Sequence, residues 1–560
     1  MEALELAAEP ATGSSLGGRT NYRLVTDSAT TNAGTGHSTL AKKSQVVGID
    51  LGMLTSCAAI YVPKTGPQVV SQGEGHPLYL RNMLWSAGKS VTIGADASAK
   101  RQIDPDKIFH SIQRWIGQKE IQRPFGEEIA PPEVLLAAVI RQVMNNASEA
   151  SDNSSNAVIT VPACYGQTHR RAIRNACQIA GIDLVQLLDK PLAAAITWID
   201  LNGRLSENGP AKRAADDRLL VLQLTGAALD ASVVHAHGRT VKQLGHCGHW
   251  KFGLQRWQHM LVQYLSEKLK DQTGKDIRTD VAAATRLQRT VEIAMNQLTS
   301  SSKVEVRFDW LGATIQQMVT QEGLARIAPD LTLSIQQCIA TACAIGKTDL
   351  HEIDRVILSG SMMRMKSMQK IVTDVIPHDV EVTWMEKSDL ARGAAIYARQ
   401  LSSISVEEEM LPSAVACAGY DIALLAETPD STQKRPKILI ERGKPTPTSY
   451  SRTLRPKAIK GKNAALPSLQ LIESSSIGEG NWLKLGRIDP SEAFPDLTPE
   501  DILQLRLEVD PSGILEASLA MPKSNQIATL PCSSDPGLTR EVIARWRAWL
   551  EELLLTSGTH

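Results

Sequence analysis

The chain is 560 residues long, with 60 Lys and Arg against 60 Asp and Glu, so its formal net charge is zero. Taking roughly 150 residues per domain allows three or four domain-sized units, and the charge balance excludes a protein that holds nucleic acid by wholesale phosphate neutralisation. At 42% hydrophobic, 21% charged and 4% aromatic, the composition is globular rather than disordered and too poor in aromatics for repeated base-stacking platforms. Eight scattered cysteines do not make a disulfide framework and read as reduced core thiols. No apolar run reaches the length of a bilayer span, and the N-terminus lacks the basic and apolar regions of a secretory signal. The expectation is a cytoplasmic protein engaging neither membrane nor nucleic acid.

Residues 1–44 are rich in Ser, Thr, Gly and Ala, without apolar periodicity, and read as a disordered tail. Order begins at Val46-Val47-Gly48-Ile49-Asp50, a short buried strand ending on an acid. From there to about residue 402, strand-like runs alternate with helical ones, an α/β signature. Ala157–Val161 is a strand, a helix spans about Thr168 to Ala180 with Gly181 as its cap, Leu184–Leu188 is the next strand, and Pro191 opens another helix, where its missing N–H costs nothing. Residues 403–412, with Glu407 to Glu409 in a row, read as an exposed acidic linker. Residues 413–531 hold short strands separated by Pro and Gly, an all-β module. Within 532–560, Val542, Ile543, Trp546, Trp549, Leu550 and Leu553 fall on one face of an amphipathic helix.

One internal echo bears on function. The first strand is followed by the turn Leu51-Gly52-Met53-Leu54-Thr55-Ser56 and a second strand, Cys57–Val62; Leu219–Gln223 is followed by Leu224-Thr225-Gly226-Ala227-Ala228-Leu229-Asp230 and the strand Ala231–His235. Two small-residue hairpin tips in two α/β halves suggest a duplicated fold with a cleft between lobes, and such tips can aim backbone N–H groups at phosphates. Each alone is only a glycine-containing turn.

Taken in order, the motifs Gly48-Ile49-Asp50-Leu51-Gly52, Ser56-Cys57, Val161-Pro162-Ala163, Ile179-Ala180-Gly181, Pro191-Leu192-Ala193-Ala194-Ala195, Gly360, Arg364 and Gly393-Ala394-Ala395-Ile396 resemble the Hsp70 (DnaK) chaperone family. Leu439-Ile440-Glu441-Arg442 and Asp510-Pro511-Ser512-Gly513-Ile514-Leu515 look like the family's peptide-holding sandwich. The resemblance implies a bilobal, duplicated α/β actin-like ATPase fold over 45–402, an all-β sandwich substrate-binding module, and a short C-terminal helix in place of a longer lid. It also implies ATP or ADP with Mg²⁺ as cofactor, extended or unfolded apolar peptides as clients, and co-chaperones as partners.

Carried over residue by residue, the resemblance places Asp50, Gly52, Thr55, Ser56, Gly226, Asp230, Glu292, Gly360, Ser361 and Arg364 at the nucleotide, with Asp50 also at the metal. The departures fall on the chemistry. Met53 and Leu54 replace paired threonines, Gln113 stands at the catalytic lysine, Lys190 at a glutamate and Gln223 at an aspartate, while Met295 and Asn296 replace the cations that sandwich adenine. Losing one electrostatic stabiliser of a transition state costs ~100- to 1,000-fold in rate, so several such losses read as lost hydrolysis, with no catalytic residue assignable and nucleotide binding weak or absent. Lys190 offers one escape, as a cation replacing the one missing at Gln113.

Three carboxylates in the linker disfavour its docking in an apolar groove, whereas Pro162 and Arg170 match the family's interdomain relay. The reading is therefore a pseudo-ATPase that binds peptides or partner proteins without an ATP-driven cycle; the alternatives are a working ATP-dependent chaperone with a rebuilt site and a scaffold with neither activity. His246-Cys247-Gly248-His249 reads as a loop rather than a metal site, and Trp546 and Trp549 as packing against the sandwich.

Overall fold

The computed structural model describes residues 45–72, 78–202, 216–226, 228–402, 411–428, 431–459, 462–474, 482–532 and 538–557. The tail 1–44, Ala227 and the three linker glutamates lie outside the described residues. Two sheets repeat one topology. In the first lobe, Gly66–Val70, Thr55–Val62 and Val47–Leu51 run antiparallel, then Asn156–Val161 and Asp183–Asp189 continue parallel. In the second, Thr240–His249, Leu229–His237 and Asp216–Leu224 form the antiparallel set, and Arg355–Ser359 and Glu381–Trp384 the parallel one. The parallel strands Asn156–Val161 and Arg355–Ser359 have mostly apolar, buried centres, as strands covered on both faces do.

Helices Lys190–Leu201 and Asp389–Ser402 meet where the lobes join. Their alanine-rich faces allow backbones to touch: a Cβ on Gly393 would lie 2.0 Å from the Ala193 carbonyl oxygen. The helix Gln167–Ala180 ends one residue before Gly181, whose φ of 74° supplies the left-handed cap. All eight cysteines are free and buried.

The β module is a sandwich of two four-stranded sheets. Leu503–Val509 and Leu515–Met521 alternate buried and exposed positions, so Leu503, Leu505, Leu507, Leu515 and Leu519 point into one core. The sandwich is seated on the first lobe. Arg170, buried in the helix Gln167–Ala180, donates from Nη1 to the Ser512 carbonyl (2.9 Å) and from Nη2 to Asp189 (2.7 Å). Gln167 donates to the Gly513 carbonyl (2.9 Å) and accepts from the Leu515 N–H (2.8 Å). The Asp510–Leu515 turn is thus clasped through main-chain groups that would otherwise be buried without partners.

Three expectations need correction. First, Ser413–Val415, read as the start of the β module, instead joins the second lobe's sheet by parallel pairing with Thr240–Lys242, while docking of the linker glutamates falls outside the described residues. Leu411, Ala414 and Ala416 pack on the shared core, so the segment that docks carries no carboxylate to desolvate. Second, the tail helix Arg540–Ser557 packs on the first lobe, not on the sandwich. Trp546, Leu550 and Leu553 join that lobe's core, and Trp549 meets Phe125 edge-on at 6.1 Å. Arg141–Glu551 at 3.1 Å and Arg545–Glu128 at 3.6 Å flank the contact. Third, His246–His249 belongs to the strand Thr240–His249. Its glycines signal close packing, since a Cβ on Gly245 would lie 2.4 Å from the Gly346 nitrogen.

Leu550 is fully buried, and trimming such a leucine to alanine costs about 2–5 kcal/mol. Leu550→Ala should release the tail helix, read as lost amide-exchange protection over 540–557 and around Phe125 with the sandwich strands unaffected. Glu473 supplies a pH test. It is buried against Gln167, whose N–H lies 3.2 Å from both its oxygens, and burial lifts its carboxyl from an ordinary 4.5 to about 7. Seating the sandwich therefore retains a proton that a released Glu473 would lose, so this contribution is full below 4.5 and disappears as pH rises through about 7. His169 and His246, held down to about 4 by burial, stay neutral over that range. Interdomain distance measurements from pH 5 to 8 should show weakening attachment in the native chain and a flat response in Glu473→Gln.

Candidate functional site

The two hairpin tips face a cleft of about 1460 Å³ between the lobes. Asp50, Gly52 and Thr55 line it from the first lobe, Gly226 and Glu292 from the second, and Gly360, Ser361 and Arg364 from the turn after Arg355–Ser359. Two further expected residues lie behind its wall. Ser56 is buried and donates to Asn82 (2.9 Å), whose amide donates to the Gly52 carbonyl (2.6 Å). Asp230 accepts from the Cys164 N–H (3.1 Å), and burial pushes its carboxyl well above the usual range.

Asp50, Lys190, Glu292, Arg101, Arg289, Arg364 and Glu386, which reach the cleft, are already partnered within the protein. Asp50 Oδ1 accepts from the Thr160 hydroxyl (2.6 Å) and forms an ion pair with Lys190 Nζ, the two side chains being only 10% and 3% exposed. Glu292 receives both Nη atoms of Arg101 at 2.9 Å and Arg289 at 3.2 Å; burial alone would raise its carboxyl, but these arginines hold it below the usual value. Arg364 pairs with Glu386 at 2.6 Å. Lys387 also lines the cleft, where burial lowers its ammonium against the opposing pull of Asp50. Six Lys and Arg line the cleft against four Asp and Glu, a surplus that favours anions.

The substituted positions have found structural partners of their own. Gln113 is buried, donates to the Gly52 carbonyl (3.0 Å) and accepts from the Tyr165 hydroxyl (2.9 Å), so it braces the first tip from beneath. Lys190 is committed to Asp50 rather than to a place beside Gln113. Gln223 is buried with neither amide atom partnered among the described residues. Met53 is buried where the tips approach: a Cβ on Gly226 would meet the Met53 Cβ at 3.0 Å and Leu54 Cγ at 3.3 Å. Arg101, Arg289, Glu386 and Lys387 were not anticipated; each sits in an ordinary surface-like sequence, and Arg101 meets Glu292 only across 191 residues of chain.

A protein-family model described as "Hsp70 protein" matches residues 119–553, which takes in both parallel strand sets, the whole second lobe, the sandwich and most of the tail helix. Asp50, the first tip and Gln113 precede the matched stretch.

Removing one member of a buried ion pair costs about 3–5 kcal/mol because the other charge stays buried and unpaired, whereas replacing both by apolar or neutral groups is nearly neutral. Lys190→Ala should therefore lower unfolding free energy by about 3–5 kcal/mol, and Asp50→Asn with Lys190→Met should recover most of it, as read by urea denaturation. Equal loss in both variants would mean that packing, not charge, makes Lys190 matter.

Proposed function

Because the chain belongs to the Hsp70 family, we propose that it is a chaperone-related protein that holds extended apolar peptides or partner proteins without an ATP-driven cycle. The Asp50–Lys190 ion pair carries this reading. A carboxylate that organises a hydrated metal must keep its oxygens free for water and metal, and here Asp50 Oδ1 is committed to an ammonium and a hydroxyl. Burial pushes the Asp230 carboxyl well above the usual range, and Gln113 and Gln223 add no charge. The tips close on Met53 where backbone donors would need room. These residues do not fit a magnesium–nucleotide complex.

The same lysine bears on the sandwich. Its chain neighbour Asp189 takes Arg170, and Arg170 holds the Ser512 carbonyl. In this reading the Asp189–Arg170 pair, on the helix that Lys190 anchors, keeps the sandwich seated with no nucleotide present. The sandwich has four edge strands, and Ile527, 70% exposed, lies on one of them. An extended peptide can add to such an edge through main-chain hydrogen bonds. One observation favours the second reading, a working ATP-dependent chaperone with a rebuilt site: the surplus of cations lining the cleft suits a polyphosphate.

Isothermal titration of the full chain with ATP, with and without Mg²⁺, separates the two. The proposal expects no Mg²⁺-dependent binding, single-turnover hydrolysis at the buffer rate, and saturable binding of a labelled apolar peptide whose release ATP does not change. Magnesium-dependent ATP affinity with accelerated peptide release would establish the second reading instead. Absence of any saturable peptide binding would leave a scaffold.

A further inference from the structure

Away from the cleft, the second lobe's sheet gathers three metal-competent side chains that neither its packing nor the proposed function uses. His235 and His237 stand two residues apart on the strand Leu229–His237 and so share a face. Asp216, the first residue of the neighbouring antiparallel strand, lies directly opposite His237. Its Oδ1 is 2.6 Å from His235 Nε2 and 3.3 Å from His237 Nδ1. The three donor atoms lie within 4.8 Å of one another, and the side chains are 31%, 65% and 67% exposed for His235, His237 and Asp216. We propose that Asp216, His235 and His237 form a zinc-binding site.

The geometry supports a tetrahedral ion. Bonds of about 2.0–2.2 Å at tetrahedral angles place donor atoms about 3.3–3.5 Å apart. Asp216 and His237 already stand at that separation, and His235 Nε2 would have to draw back from Asp216 by about 1 Å to match it. Backbone pairing along the whole hairpin, from Asp216↔His237 to Leu224↔Leu229, fixes the ligands relative to one another. Two imidazoles and one carboxylate suit Zn²⁺ and other late first-row ions, not Mg²⁺ or Ca²⁺. Three protein ligands leave the fourth position to water. The alternative, a surface histidine pair hydrogen-bonded to an acid, shares this geometry, and metal uptake separates the two. The site also has a structural address. His237 pairs with Thr240 on the next strand, and Thr240 pairs with Ser413, where the chain begins its docked passage toward the sandwich.

Titration of the full, metal-stripped chain with ZnCl₂ should give one saturable site, and Co²⁺ in its place should develop the visible absorption of a four-coordinate ion. His237→Ala should weaken Zn²⁺ binding by about tenfold or more, and His235→Ala with His237→Ala should abolish both it and the cobalt spectrum. Zn²⁺ should raise the melting temperature of the native chain and not of the double variant, whose circular dichroism without metal should match the native protein. Millimolar Mg²⁺ should not compete. Undiminished binding in the folded double variant, or no saturable uptake by the native chain, would overturn the proposal.

Discussion

Two adjacent residues at the start of one helix organise much of this molecule. Lys190 points into the cleft and pairs with Asp50, while Asp189 faces the other way and pairs with Arg170. Both pairs are buried, so neither charge has water to fall back on, and each must be matched within the protein. The helix cannot shift without breaking one contact or the other. Its position fixes the Asp50 strand on one side and, through Arg170 and the Ser512 carbonyl, the sandwich on the other. A neutral residue at position 190 would leave Asp50 free to serve another cation; a lysine there supplies that cation permanently.

The same substitution of an internal partner for an external one recurs around the cleft. Glu292 is closed by two arginines, Arg364 by Glu386, and the Gly52 carbonyl by Gln113 and Asn82. Where such pairs are largely buried, as Arg101–Glu292 is, they contribute less to stability than equally well-packed apolar groups do. Its consequence lies elsewhere: the groups cannot reorganise around a ligand without first losing the partners they have.

The sequence made the lobes legible because strand and helix periodicities are local. The repeated hairpin tips, the strands at Ala157–Val161 and Leu184–Leu188, and the helix ending at Gly181 all reappear within a residue or two. The chemical departures at Gln113, Lys190 and Gln223 were equally visible, since a change of charge needs no structure to notice. Partners separated widely in sequence were not. Nothing near Lys190 marks Asp50, 140 residues away, and nothing near Arg101 marks Glu292. The stripe Val542–Leu553 announced that one face of the tail helix is covered, but an apolar stripe does not say by what; the receiving surface around Phe125 emerges only from packing. His246–His249, read as a loop, ends a strand in which Gly248 serves close backbone approach, a Cβ on it lying 2.7 Å from the Leu229 carbonyl oxygen.

The route of the chain gives the molecule a mechanical property. The passage out of the second lobe is held as a sheet strand at Ser413–Val415, yet the sandwich and tail helix that follow are fastened to the first lobe. Arg101 and Glu292 join the lobes again on the cleft side. The lobes are thus connected through a closed circuit, not a single pivot. In such a circuit no angle can change alone: prying the lobes apart loads the sandwich, and pulling on a client held by the sandwich loads the lobes.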